Sequence, residues 1–218
     1  KTRQRRYLAW PARAYGDDEL GGLLDASTYQ DIYLDPIGAD VLFAASSPVA
    51  VEVDVPFGIR RASNEHDDEL RLRHDGPMHY RAWSQLDPPP AEALAAAAST
   101  LPRGFEVYLQ LPSEITGRTR ALAEDITRGA TSNYERANRI RDWLVENLDY
   151  SLDLVDPGEQ EPIDFFLFTR KAGHCEHFAT ALAAMLRVRG VPARVVGGFF
   201  GGEFLADGLV DYRETCGP

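Results

Sequence analysis

The sequence predicts an α+β fold in which a β-rich first half is followed by helices and then by further strand-like sequence. Residues 49–55 alternate between apolar and other side chains, as a half-buried strand does. Residues 132–148 instead repeat their apolar side chains at helical spacing. A further helical pattern begins at Cys175, and residues 192–199 have the composition of a strand that enters a glycine-rich turn.

The first half contains several short strand-like segments. Residues 41–44 and 49–55 are rich in β-branched and other apolar side chains. Residues 70–73 and 78–83 also alternate, and residues 74–77 between them have turn chemistry, so this pair is predicted to form a hairpin. Together these segments predict a small antiparallel sheet or sandwich.

The change from strand-like to helical periodicity divides the chain near residue 112. We therefore expect a β-rich domain over residues 1–112 and a second domain over residues 113–218. Residues 87–90, Asp-Pro-Pro-Pro, predict a stiff linker and are a competing boundary. The alanine-rich residues 91–98 favour a short helix by propensity.

Two helices are predicted before the cysteine. One covers residues 118–128 with Thr116 as its N-cap, and the next begins at Ser132 or Asn133. The aromatic residues of 163–169 then lead into the cysteine helix.

Composition excludes some classes of function. The net charge of −11 argues against nucleic acid as a partner, because a phosphate-binding surface is basic. No window approaches the roughly 18 consecutive apolar residues of a spanning helix. The start without methionine and the abrupt end predict a piece of a longer protein. Cys175 and Cys216 allow one disulfide, which is too few to fix the redox compartment.

Cys175 is the main candidate for a reactive residue. It stands at a predicted helix start, where unpaired backbone N–H groups and the helix dipole favour a thiolate, the nucleophilic form of cysteine. The following residues Phe178, Leu182, Met185 and Leu186 form a stripe that packing alone explains. A buried, inert cysteine is the competing interpretation.

His174 and His177 flank this cysteine and allow three interpretations. They could bind a metal together with Cys175 and Glu176, but no second cluster with ligand spacing follows. One of them could act as a general base, although such partners normally come from distant elements. We favour histidines that lie at the surface or cap the helix, and we predict no metal site.

The long motif of residues 173–203 resembles the bacterial transglutaminase-like family, in particular its membrane-anchored branch with a periplasmic core. The resemblance implies a papain-like α+β core, a nucleophile-bearing helix packed on an antiparallel sheet, preceded by a β-rich segment. It also implies that Cys175 attacks a glutamine carboxamide or a peptide-like carbonyl and forms a thioester. An amine or water then resolves the thioester, as in a protein-glutamine gamma-glutamyltransferase or a cysteine protease. No cofactor is implied.

The resemblance also suggests which groups stabilise the oxyanion. The backbone N–H of Cys175 is one donor, and an aromatic side chain upstream often supplies the second. Tyr150 is the first candidate and Trp143 the alternative, although core packing explains either residue as well.

The chain departs from the family after Arg213. There the family continues with two residues and then Asp-Ala-His-Ala-Trp, whose histidine is the base, whereas here the histidine position falls on Pro218. We therefore expect the catalytic histidine and aspartate at or after Pro218, an incomplete sheet, an inactive chain as given, and a homodimer through the exposed sheet edge. The alternative is a catalytically silent module that binds a peptide or protein.

The resemblance further implies a partner and a location. The substrate would be a protein or peptide that carries glutamine or lysine. The parent protein would be anchored in the bacterial inner membrane, with this part on the periplasmic or extracytoplasmic face.

Overall fold

The computed structural model describes residues 7–9, 17–35, 41–53, 60–61, 70–71, 76–97, 100–101, 104–199, 203–204 and 210–211. The contacts divide the chain into two compact units, Lys1–Pro89 and Pro90–Pro218. None of the helices in the described ranges is long and apolar enough to span a bilayer.

The first unit contains a four-stranded antiparallel sheet. Its elements are β1 (Tyr7–Ala9), α1 (Asp17–Asp25), β2 (Thr28–Leu34), β3 (Pro48–Val53), β4 (Arg60–Arg61), β5 (Leu70–Arg71) and β6 (Met78–Ser84). The strand order in the sheet is β1-β3-β6-β2, and β4 pairs separately with β5. The antiparallel sheet predicted from the alternating segments is thus confirmed.

Strand β6 is the centre of this sheet and supplies much of its core. Its side chains alternate between buried and more exposed positions, and the buried ones include Met78, Tyr80 and Ala82. The Tyr80 hydroxyl donates to the carbonyl of Phe43 and accepts from its N–H. Burial raises the pKa of Tyr80 to about 12, although the bond to Phe43 opposes this shift.

Two strand predictions in this unit are wrong. The predicted hairpin fails because β2 and β3 occupy both edges of β6, so that β5 pairs with β4 instead. Residues 42–44 are irregular, and both backbone groups of Phe43 form hydrogen bonds with the Tyr80 hydroxyl. Residues 74–75 of the predicted turn lie outside the described residues.

The second unit is built mainly from helices. Its elements are α2 (Ala91–Ala96), a 3-10 helix (Phe105–Leu109), α3 (Gly117–Ile126), α4 (Asn133–Asn147), β7 (Asp149–Tyr150), α5 (Pro162–Asp164), a π-helix (Phe165–Arg170), β8 (Ala172–Gly173), α6 (Cys175–Val188), β9 (Glu203–Phe204) and β10 (Val210–Asp211). Helices α3, α4 and α6 pack around one apolar core. The fully buried side chains there include Ile140, Leu144, Phe166, Leu167 and Met185.

The contact boundary at Pro89 and Pro90 differs from the boundary near residue 112 that periodicity indicated. Residues before 112 join the helical unit through hydrogen bonds to α6 and the segment after it. The N–H of Ala193 donates to the carbonyl of Tyr108, and the Arg187 side chain donates to the carbonyl of Gln110.

The predicted helix starts are confirmed. Thr116 caps α3 by accepting from the Thr119 N–H, and Ser132 caps α4 by accepting from the Glu135 N–H. The Thr116 hydroxyl also donates to the buried carboxylate of Asp164. Hydrogen bonds from Arg118, and secondarily from Thr116, lower the pKa of Asp164 against the opposing effect of burial. The start of α3 is thereby tied to the segment that leads into the π-helix.

Candidate active site

Cys175 is the first residue of α6, as the sequence predicted, and its thiol is free and exposed. The preceding His174 has extended backbone angles and acts as the N-cap. Because the first N–H groups of a helix lack intrahelical partners, the Cys175 N–H is not used by the helix. In the part of the chain that the structure describes, no hydrogen bond engages this N–H.

A left-handed residue and a short strand connect the π-helix to Cys175. The π-helix ends at Lys171, which has a left-handed backbone with φ of 56°. The chain then forms β8, which pairs in parallel with β7. The Asp149 N–H donates to the Lys171 carbonyl and the Ser151 N–H to the Gly173 carbonyl, both at 2.9 Å. These two bonds fix the strand from which α6 departs.

The structure brings Tyr150 next to the segment that leads into Cys175. Tyr150 lies opposite Gly173 in the strand pair, and its side chain is exposed. Its ring stacks on that of Phe178, one helical turn after Cys175, with 6.5 Å between the ring centres. Trp143 is instead half-buried on α4 and packs against the helical core.

His174 and His177 form a reciprocal cap at the start of α6. The Nδ1 atom of His174 accepts from the Glu176 N–H at 3.4 Å, and the Nδ1 atom of His177 accepts from the His174 N–H at 3.3 Å. The capping interpretation of these histidines is therefore confirmed. Within the described ranges, no cluster of three or more His, Cys, Asp or Glu side chains could hold a metal ion.

Desolvation is the main influence on the protonation of His177. Burial lowers its pKa from the ordinary value of 6.5, and electrostatic repulsion from His174 and Arg170 acts in the same direction. The carboxylate of Glu176 opposes these effects. The ring of His177 also packs against Phe166, with 5.6 Å between the ring centres.

Gly173 has no room for a side chain. A Cβ atom there would lie 2.9 Å from His177 Cγ and 3.0 Å from Phe166 Cε2. We therefore expect Gly173→Ala to displace His177 and to destabilise the protein by about 1–3 kcal/mol. Urea unfolding checks this value, with Gly117→Ala as the matched control because a Cβ atom there meets nothing within 4 Å. Equal stability of the two variants would contradict the close packing.

A small cavity and its charged residues were not predicted from the sequence. It has a volume of about 110 Å³ and is lined by His177, Arg170, Asp153 and apolar side chains, including Phe166. The guanidinium of Arg170 donates to the carbonyl of Asp153 at 2.8 Å and so holds the acidic loop. No sequence signal marks this bond, because its acceptor is a backbone atom.

The segment after α6 differs from its prediction. Residues 192–199 are irregular instead of forming a strand. The N–H of Ala193 bonds to Tyr108 and its carbonyl accepts from Arg187, so these groups do not join a sheet. Strands β9 and β10 form an antiparallel pair. Cys216 and Pro218 lie outside the described residues.

Comparison with known proteins matches residues 120–211 to the family model of the transglutaminase-like superfamily. A protein-glutamine gamma-glutamyltransferase of Pseudomonas aeruginosa is 32% identical over 174 residues, which are 79% of this chain and 24% of that protein. The protein YebA of Bacillus subtilis is 32% identical over 100 residues, which are 44% of this chain and 14% of YebA. The chain thus spans a quarter or less of the length of either relative.

The fold resembles two crystal structures of the periplasmic domain of TgpA from Pseudomonas aeruginosa. The structure bound to ethylmercury has a TM-score of 0.66 and 27% identity, and the match covers 86% of this chain and 66% of that one. The other structure has a TM-score of 0.65 and 26% identity, with 95% and 73% covered. The mixed helix and sheet fold is therefore transglutaminase-like, and residues 120–211 form a domain that matches the transglutaminase-like superfamily.

Proposed function

We propose that this chain carries the nucleophile of a transglutaminase-like acyl-transfer site and that Cys175 is that nucleophile. The observation that carries the proposal is the exposed, free thiol at the first position of α6, beside an N–H that the helix does not use. The similarity to a protein-glutamine gamma-glutamyltransferase supports the same chemistry.

The proposed reaction has two steps. The sulfur of Cys175 attacks a glutamine carboxamide carbon, so that a C–S bond forms, the C–N bond breaks and the nitrogen leaves as ammonia after taking up a proton. A primary amine, or water, then attacks the thioester and releases the thiol, which gives an amide or a carboxylate. We propose that the Cys175 N–H, at the first position of α6, stabilises the oxyanion and that Tyr150 is the second donor.

The two nearby histidines are poorly suited to act as the base. Each uses its Nδ1 atom to accept a backbone N–H. At 100° per residue, His177 also lies about 160° from Cys175 around the helix axis. We therefore propose that neither His174 nor His177 is the base of this site.

Incorporation of a fluorescent primary amine into a glutamine-containing protein tests this function. Exogenous imidazole can act as a base where His174 and His177 do not, so we expect it to raise incorporation at least about tenfold in the wild-type chain. The variant Cys175→Ser should remain at background with or without imidazole. A thioester adduct on the peptide that contains Cys175, detected by mass spectrometry, should accompany the incorporation.

The alternative is a catalytically silent module that binds a peptide or protein. It is favoured by exposed apolar side chains such as Val196, which is 74% exposed, and Leu154, which is 79% exposed. Binding of the glutamine-containing protein without any Cys175 adduct, even with imidazole present, would replace the enzymatic proposal with this one.

The location and partners of the parent protein are part of the same proposal. The TgpA structures are of a periplasmic domain, and we propose a periplasmic location and a membrane-anchored parent by that similarity. A glutamine-bearing or lysine-bearing protein is the proposed substrate. A homodimer through an exposed sheet edge would be detected as a doubled mass in light scattering.

A further inference from the structure

The hydrogen bonds of His174 and His177 at the start of α6 require both rings to be unprotonated at Nδ1. Both Nδ1 atoms accept from backbone N–H groups, so each must carry a lone pair there. Each neutral ring then carries its proton on Nε2. Protonation of His177 would place an N–H at Nδ1, directly facing the N–H of His174, and the bond between them would be lost.

A positive charge is also unfavourable at this location. The start of a helix carries the positive end of its dipole, which repels a cation. The ring centres of His174 and His177 are only 4.3 Å apart, so two imidazolium ions would repel each other. Arg170 adds a positive group beside the cavity that His177 lines, and the carboxylate of Glu176 partly compensates. Asp153 also lines this cavity.

Packing makes His177 a fixed part of the turn and not a loose cap. Its ring occupies the space beside the backbone of Gly173, and Phe166 closes the same contact. Gly173 in turn accepts the Ser151 N–H in the β7–β8 pair. The ring therefore joins the strand pair, the turn and the first turn of α6 at the point where Cys175 is presented.

We propose that His177 is a positioning residue for Cys175. Its neutral ring holds the His174 N–H and so fixes the turn that presents the thiol and the N–H of Cys175. The catalytic consequence rests on the function proposed for Cys175, whereas the cap itself does not. In acid the ring takes up a proton, the cap opens and the presentation of Cys175 is lost.

The direction of the pH dependence follows from the lowered pKa of His177. The unfolded chain takes up this proton near the ordinary value of 6.5, before the folded protein does. The stabilising contribution is therefore complete above that pH. It falls as the pH drops below 6.5 and is lost once the pH passes the lower folded-state pKa.

Amide hydrogen exchange, expressed as protection relative to the unstructured rate at each pH, tests the cap directly. In the wild-type chain we expect protection of residues 174–178 to fall between pH 7.5 and 5.5. The expected decrease is about fivefold, because this factor corresponds to the free energy of one hydrogen bond. Residues 138–146 of α4 serve as the internal reference and should change less than about twofold. No difference between the two segments would overturn the proposal without the use of any variant.

Two substitutions separate the hydrogen bond from the packing of the ring. In His177→Asn the Oδ1 atom can accept the His174 N–H but cannot titrate in this range, so protection should stay high and independent of pH. In His177→Phe a ring remains but the acceptor is lost, so protection should be low at both pH values. His79→Asn, on β6 of the other unit, is the matched control and should behave as wild type. Identical pH profiles for wild type and His177→Asn would overturn the proposal.

Alkylation of Cys175 by iodoacetamide at pH 7.5 then tests the positioning role. His177→Asn should react within about twofold of wild type, and His177→Phe about tenfold more slowly. If exchange shows the cap but His177→Phe reacts at the wild-type rate, the positioning role is overturned. An inert Cys175 in the wild-type chain would instead count against the proposed function, while the exchange data would still report on the cap.

Discussion

Replacement of Cys175 by serine is expected to abolish the fast reaction of this protein with iodoacetamide. The thiol is exposed at the first position of a 14-residue helix, and cysteines at helix starts are commonly more reactive than free cysteines. We expect the folded chain at pH 6.5 to react at Cys175 about tenfold faster than the same residue in the urea-unfolded chain. Peptide mass spectrometry of a time course measures both rates.

The second cysteine provides the matched control for this experiment. Cys216→Ser removes one thiol from the sequence but leaves Cys175 in place, so the fast reaction should persist. The double variant should not react. Equal rates at Cys175 in the folded and unfolded chains would contradict activation by the helix start, and fast labelling that survives Cys175→Ser would place the reactive thiol at Cys216.

Local sequence signals were sufficient to predict the cysteine helix. Its start, its apolar stripe and the capping by His174 depend on side chains within a few residues of one another. The same holds for the caps Thr116 and Ser132, whose hydroxyls accept from N–H groups three residues later. Helix starts and caps can be predicted from the sequence because the interacting groups are close along the chain.

Predictions that required a choice between distant partners were less successful. Residues 70–73 and 78–83 are neighbours in sequence, yet β6 pairs with β2 and β3. Strand β2 was missed because it lies at the sheet edge, where side chains such as Tyr29 and Tyr33 are exposed and weaken the apolar alternation. Pairing over such distances is decided by the whole sheet and not by the turn alone.

At the candidate site, too, features that depend on nearby residues could be predicted, whereas features that depend on distant residues could not. The position of Cys175 at a helix start and the capping by its neighbouring histidines could be predicted from the sequence. The strand pair β7–β8 places Tyr150 opposite Gly173, and its role as an oxyanion donor stays a prediction. The bond from Arg170 to the Asp153 carbonyl, and the cavity beside it, could not be predicted. They depend on a π-helix, which is rare and has no reliable sequence pattern.

Replacement of Phe166 by alanine is expected to cause the largest loss of stability in the helical unit. Phe166 is 2% exposed and belongs to the apolar core of α3, α4 and α6. Its ring meets Phe178 edge-on, with 5.1 Å between the ring centres, and it also contacts His177. Deletion of such a ring removes buried area and leaves a cavity, so the free energy of unfolding should fall by about 3–5 kcal/mol.

Phe168 on the same π-helix is the control that separates burial from residue type. It is half-buried, and the guanidinium of Arg118 lies over its ring at 4.4 Å. Phe168→Ala should therefore cost only about 1–2 kcal/mol. Urea unfolding followed by the helical circular dichroism signal measures both values, since most of the helical residues that the structure describes lie in this unit.

Phe166 also connects core packing to the presentation of Cys175. Its ring packs against Phe178 and His177. Phe166→Ala should therefore slow the alkylation of Cys175 in the absence of urea, where the chain is still folded. Phe168→Ala leaves these two contacts intact and should alkylate at the wild-type rate. Equal losses of stability in both variants would contradict the role assigned to burial. Equal alkylation rates would mean that the core and the cysteine turn are not coupled through Phe166.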